Sequence, residues 1–124
     1  MLVVTVDHGN LKVRPARFDD ICEAVLILVS LIPIGKVSSY SDIGWLLGAH
    51  PRLVAQCLMG NKNPMVIPCH RVVHKNGRLG GYSFGSAKIK AKILRIEGAI
   101  GDSDKLGVPK NALLRLDELL GSDR

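Results

Sequence analysis

The stretch SSYSDIGWLLGAHPRLVAQCLMG, residues 38–60, decides the fold. Ser39 stands three residues before Asp42, which resembles a capping box, so a short helix is expected from about Ser41 to Leu47. Ile43, Trp45, Leu46 and Leu47 are expected to lie largely inward on it. Gly48 stops that helix, and Pro51 suits the first turn of a second one, Pro51 to Met59. Two short helices joined by a tight glycine-containing turn make a helix-turn-helix candidate. Any pair of short core helices shares this pattern, so the assignment needs support from the rest of the chain.

Upstream, MLVVTV, DHGN and LKVR read as a small hairpin turning at Asp7–Asn10. DDICEAVLILVSLI (19–32) reads as a helix: acids enrich its first turn, and Ile21, Val25, Leu28 and Ile32 recur at helical spacing. Downstream, Val72 and Val73 favour a strand, and KNGR (75–78) carries the Asn-Gly pair of a tight hairpin turn, a basic wing after the helix pair. SAKIKAKILRI (86–96) reads as a helix with Ile89, Ile93 and Ile96 inward and Lys88, Lys92 and Arg95 in solvent. Residues 98–109 read as a loop. PKNALLRLDELL (109–120) reads as an amphipathic helix burying Leu113, Leu116 and Leu120. The expected class is mainly α with a small β-hairpin or wing. No repeat or interdomain linker interrupts it.

A chain of 124 residues, 47% hydrophobic, makes one domain with a real core. The most apolar run, AVLILVSLIPI (24–34), is about half the length of a membrane span and ends in a proline-punctuated segment. The N-terminus lacks the basic region and cleavage site of a signal peptide. Three cysteines without a CxxC pair suggest neither a disulfide framework nor a zinc site, and fit a reducing, cytoplasmic home. Cys22 and Cys57 lie in helical patterns and are expected as small, free core residues. The net charge of +6 is concentrated: residues 43–96 hold nine basic residues and no acid, leaving eight basic against eleven acidic residues elsewhere. Such asymmetry suits a polyanion such as nucleic acid.

PCHRVV (68–73) lies inside that basic segment. A free thiol has a pKa near 8.5, and a basic setting or a proton-accepting histidine raises its thiolate fraction. Cys69 has both in its segment, with Pro68 fixing the chain before it and a polar His-Arg pair after it. His8, His50 and His74 lack such a partner and read as ordinary surface residues.

PCHRV, with NPMVI before it and GGYSFG after it, resembles the active-site region of O6-alkylguanine-DNA alkyltransferases. The resemblance runs from GKVSSYSDIGWLLGAHPRLVAQCLMGNKNP to LRIEG and covers roughly residues 18–98. It implies a winged helix-turn-helix-like catalytic domain, with residues 1–17 as a hairpin extension and 99–124 as a tail outside the resemblance. It implies irreversible transfer of an alkyl group from O6 of guanine to Cys69, without cofactor or metal. His70 matches the histidine that deprotonates the cysteine through a water, and Glu97 the carboxylate that orients it. Asn61 matches the asparagine bracing the turn before the active-site loop. Tyr40, Met59, Pro64, Tyr82, Ser83 and the backbone of Cys69 and Val72 match pocket positions. Arg52 matches the finger that fills the base stack when a nucleotide is turned out, within a DNA-binding set of Ser39, Tyr40, Ser41, Arg52, Ala55 and Lys75. The implied partner is double-stranded DNA containing O6-alkylguanine, bound by a monomer with no membrane involvement.

Three departures accompany the resemblance. Only about 17 residues precede the first helix, where family members often carry a further domain. Gln56 stands where small residues are common, and the GAHPR turn is two residues shorter than in some relatives. The alternative within the family is a protein that binds alkylated DNA without transfer, but such relatives typically carry tryptophan where Cys69 stands. A winged-helix regulator would account for the basic segment but not for Tyr40, Arg52, Asn61, Cys69, His70 and Glu97 together. A thiol hydrolase needs an oxyanion hole that the sequence does not indicate.

Overall fold

A computed structural model describes residues 1–64, 66–101 and 107–116. Strands β1 (Leu2–Asp7) and β2 (Asn10–Pro15) form an antiparallel hairpin in which Val4 faces Val13 and Val6 faces Leu11. Helices α1 (Phe18–Ser30), α2 (Tyr40–Leu47) and α3 (Pro51–Met59) follow, and α4 (Ala87–Ile96) comes later. Among the described residues, four helices and a small antiparallel hairpin are therefore the architecture, and the first three helices sit within a residue or two of the spans read from the sequence. No helix among the described residues is long and apolar enough to cross a membrane.

Local chemistry explains the helix boundaries. The Ser39 hydroxyl accepts from Asp42 N at 3.0 Å, capping α2. Gly48 ends α2 in the left-handed region (φ 65°), which a side chain disfavours. Pro51 opens α3, and the His50 ring caps it by accepting from Arg52 N at 3.1 Å. His50 is thus a structural cap, not an idle surface residue. At Gly44, a Cβ would run into the carbonyl oxygen of Ala49, so the close α2–α3 crossing requires glycine there.

Several expectations are corrected. Val72–Val73 (β4) does not open an antiparallel wing. It pairs parallel with Ser38–Ser39 (β3), Ser38 against Val72 and Ser39 against Val73. KNGR does turn tightly, with His74 N donating to Arg78 O at 2.8 Å, but Arg78 then bridges to Gly107. Of the helix expected over 109–120, residues 110–112 form a 3-10 turn, residues 113–115 run non-helically beside Val37 and Leu116 is helical; residues 117–120 lie outside the described residues. Trp45 is 55% exposed, because α2 buries Asp42, Ile43 and Gly44 instead. On α4 the buried face is Lys90, Ala91 and Leu94, while Ile89 and Ile96 are exposed. Finally, Cys22 and Cys57 are bonded to each other, joining α1 to α3.

The β3–β4 pair separates two cores. Successive strand residues point to opposite faces. Val72 joins Val25, Val29, Ile32, Ile43, Val54 and Leu116 on one side. Val73 joins Val37, Leu79, Ala91, Leu94 and Ile100 on the other. Cys69 sits at the edge of the first core, where α3 and the loop before α4 meet.

Candidate functional site

The chain delivers Cys69 through a defined turn. Pro68 adopts φ −78° and ψ 69°, and Cys69 N donates to Ile67 O at 2.8 Å, an inverse γ-turn. The same Ile67 oxygen accepts from Asn61 Nδ2 at 2.9 Å, while Asn61 Oδ1 accepts from Asn63 N at 3.0 Å. Asn61, 4% exposed, thereby ties the end of α3 to the approach to Cys69. Cys69–Arg71 then form a 3-10 turn. Three residues per turn separate neighbouring side chains by roughly 120°, so Cys69 and His70 need not oppose each other as on a strand.

His70 is fully buried, and its Nε2 lies 2.9 Å from Glu97 Oε1. Arg71 holds the same carboxylate, Nε to Oε1 at 3.1 Å and Nη2 to Oε2 at 2.7 Å, and also donates to Ile32 O at 2.8 Å. Burial pushes the Glu97 pKa up, but the hydrogen bonds from Arg71 and His70 outweigh it and hold the group below the ordinary carboxylate range. Burial pushes the His70 pKa down, against the pull of Glu97. A carboxylate beside a neutral ring fixes the tautomer: Nε2 carries the hydrogen and donates to Glu97. Nδ1 is left with its lone pair, buried and without a protein partner. Arg71 was not among the sequence candidates, although it stands next to His70 in the motif.

Cys69 forms part of the wall of a cavity of about 380 Å³. Tyr40 from the start of α2, Ala55, Leu58 and Met59 from α3, and Gly81, Tyr82 and Ser83 from the loop before α4 complete that wall. Pro64 does not line it; the Val72 side chain is buried in the core and its carbonyl accepts from Lys90. Burial raises the pKa of both Tyr40 and Tyr82, and a negative Cys69 sulfur raises them further, so both hydroxyls keep their protons. The His70 and Tyr82 rings meet edge to face at 6.4 Å.

Behind the cavity lies a group the sequence reading missed. Lys90, 1% exposed, donates to Val72 O at 2.7 Å, Leu79 O at 2.5 Å and Gly81 O at 3.2 Å, and its ammonium stands 5.9 Å from the Tyr40 ring centroid. Three carbonyls match the three donors of an ammonium. Burial lowers its pKa to about 8, while a negative Cys69 opposes the drop. Lys90 thus pins the loop bearing Tyr82 and Ser83 to the strand that follows Cys69.

On the outer rim, Arg52 is exposed at the start of α3. Ser41 and Lys75 lie together with Tyr40, Arg52 and Ala55 around a second depression. Ser39 is buried as the α2 cap, so it supports this surface from beneath. His74 packs its ring on Tyr40 at 5.1 Å and so belongs to the site. Among the described residues no group of three or more His, Cys, Asp or Glu could hold a metal ion.

Residues 20–99 match the family model described as 6-O-methylguanine DNA methyltransferase, DNA binding domain. The chain is 45% identical over 74 residues to the methylated-DNA–protein-cysteine methyltransferase of Methanothermobacter thermautotrophicus, 60% of this chain and 42% of that protein. It resembles Mycobacterium tuberculosis OGT in complex with DNA, with a TM-score of 0.59 and 30% identity, over 73% of this chain and 55% of that one. S. pombe Atl1, in complex with damaged DNA containing O6-carboxymethylguanine, shares the fold: its TM-score is 0.68 at 23% identity, covering 80% of this chain and 98% of that one. The chain thus spans about half the length of the two methyltransferases it matches. With the family model covering most of the sequence, the chain belongs to the 6-O-methylguanine DNA methyltransferase family through its DNA-binding domain.

Proposed function

We propose that this protein repairs double-stranded DNA by moving an alkyl group from O6 of guanine to Cys69. One observation carries the reading: Cys69 opens into a cavity while a buried His70–Glu97 pair stands behind it with Nδ1 of the ring available. The Cys69 proton passes through a bridging water to Nδ1, and Glu97 steadies the imidazolium that results. The thiolate attacks the alkyl carbon; the S–C bond forms as the C–O6 bond breaks. The electron pair leaves on guanine, where a donor such as the Tyr40 hydroxyl offsets the developing charge. Guanine takes up a proton and is restored. Nothing on this wall cleaves the thioether, so each molecule acts once.

The alkyl group lies inside a duplex, so the nucleotide must turn out, at a cost of a few kcal/mol. We assign α2 and α3 as a helix-turn-helix, with the 74–78 turn in the place of a wing. Arg52 stacks in the vacated position, and Tyr40, Ser41, Ala55 and Lys75 face the DNA. Tyr82, Ser83 and Met59 close on the extruded base. The substrate places the monomer inside the cell, with the DNA. The test is mass spectrometry after mixing the protein with a duplex containing O6-methylguanine. One methyl on Cys69 and restored guanine are expected. Tight binding with no mass change would instead assign recognition without transfer.

A further inference from the structure

Beside the candidate DNA face runs a groove of about 410 Å³ between α2 and the segment 107–116, a segment beyond the family match. Trp45 stands on it, 55% exposed, one helical turn after Ser41 on the same face of α2. Leu113 and Leu114 contribute its apolar lining, and Lys75, Lys110 and Arg115 bring three cations to it. Among the described residues its one acid, Asp42, is buried and accepts from Leu116 N at 2.9 Å. Lysine and arginine cations with the Ser41 hydroxyl among them are the groups that take phosphate and sugar, and the indole beside them serves as a reporter of that contact. The groove is also continuous with its neighbours. Ser41 and Lys75 line it, and they line both the depression holding Arg52 and the polar one holding His74 and Arg78.

We propose that this groove is a second nucleic-acid contact, holding the phosphodiester backbone of the same duplex where it runs on past the alkylated nucleotide. The inference rests on the DNA-repair reading above and adds to it a contact made by the C-terminal segment.

Trp45 is the only tryptophan, so fluorescence excited at the red edge, where tyrosine does not absorb, reports this groove. Two duplexes bearing O6-methylguanine are compared, one with long arms and one trimmed to the base pairs around the lesion. The long duplex should protect Trp45 from acrylamide quenching; the trimmed one should not, although it still methylates Cys69. Lys110→Ala should lower the slope of log affinity against log salt by about 0.9, one phosphate contact, on the long duplex only. Methylation of Cys69 with Trp45 equally quenched in free and bound protein, and with an unchanged salt slope, would overturn the groove contact and leave the repair reading standing. Absence of both methylation and DNA binding, read in the same samples, would sink both. Protection by an acidic peptide and not by DNA would overturn the proposal and give the groove to a protein partner.

Discussion

At the scale of single residues, the centre is one carboxylate with two partners. Glu97 holds the His70 ring and also anchors Arg71, whose guanidinium reaches back to Ile32 O. Acidity should therefore act on folding in two stages. His70 resists protonation in the fold, while the unfolded chain takes its proton near 6.5, so stability falls as pH drops from about 6.5 through the lowered folded value. Glu97 contributes fully above about 4.5, and its share is lost as pH falls through its own lowered value. Urea midpoints measured down the pH scale should show the upper stage disappear in His70→Gln and the lower one persist. A wild-type midpoint flat from pH 7 to 5 would contradict this. Lys90→Met leaves the buried Val72 and Leu79 carbonyls without their donor and should cost about 2 kcal/mol. It should also speed hydrogen exchange over residues 79–83; unchanged exchange there would remove the pinning role. Cys69, His70 and Glu97 were legible because a motif announces them. Lys90 was not: in KIKAKIL, isoleucines and lysines at neighbouring spacings offer two helical stripes. Burial follows the one with small Ala91, which lets α4 approach closely, and three carbonyls supply what the ammonium loses from water.

At the scale of elements, α3 is held from two sides. Gly44 lets α2 lie against the turn that launches it, so Gly44→Ala should push the Ala49 carbonyl away and cost about 1–3 kcal/mol. A thermal melt with the midpoint unmoved would show that the turn can yield. The Cys22–Cys57 bond ties α3 to α1 across a separation of 35 residues. Chain-entropy arguments put the closure of such a loop at about 3–4 kcal/mol. Reductant, or Cys22→Ala with Cys57→Ala, should lower the unfolding free energy by about 2–4 kcal/mol, and equal denaturation curves with and without reductant would remove the claim. The helices themselves were legible from caps and punctuation: Ser39, Gly48 and Pro51 each act where local chemistry is decisive. The disulfide was not, because two cysteines that each satisfy a helical stripe look like core residues until α1 and α3 are seen side by side. Val72–Val73 misled for a related reason. β-forming residues say that a strand exists, not which strand it joins, and the partner, Ser38–Ser39, lies 34 residues earlier.

At the scale of the whole molecule, the positive segment read from the sequence becomes a surface: Arg52, Lys75 and Arg78 surround the depressions outside the cavity, while Cys69 lies on the wall within. In the function proposed above, depth and charge thus divide the task, the rim meeting the duplex and the interior meeting one base. Arg52→Ala should therefore slow transfer from duplex DNA roughly tenfold or more, part of the few kcal/mol needed to unstack a base, while hardly changing reaction with free O6-alkylguanine base. Equal losses on both substrates would take the finger role from Arg52. The tail was the least legible part, since Leu113, which fits a helical stripe with Leu116, serves equally well in a run that lies along Val37. The disulfide has one more consequence. With Cys22 and Cys57 bonded, Cys69 is the only free thiol in the chain. Under the transfer proposed above, the oxidised protein is therefore its own dosimeter: each alkyl group taken by Cys69 erases one titratable sulfhydryl, and the thiol count of a denatured sample gives the number of molecules not yet spent.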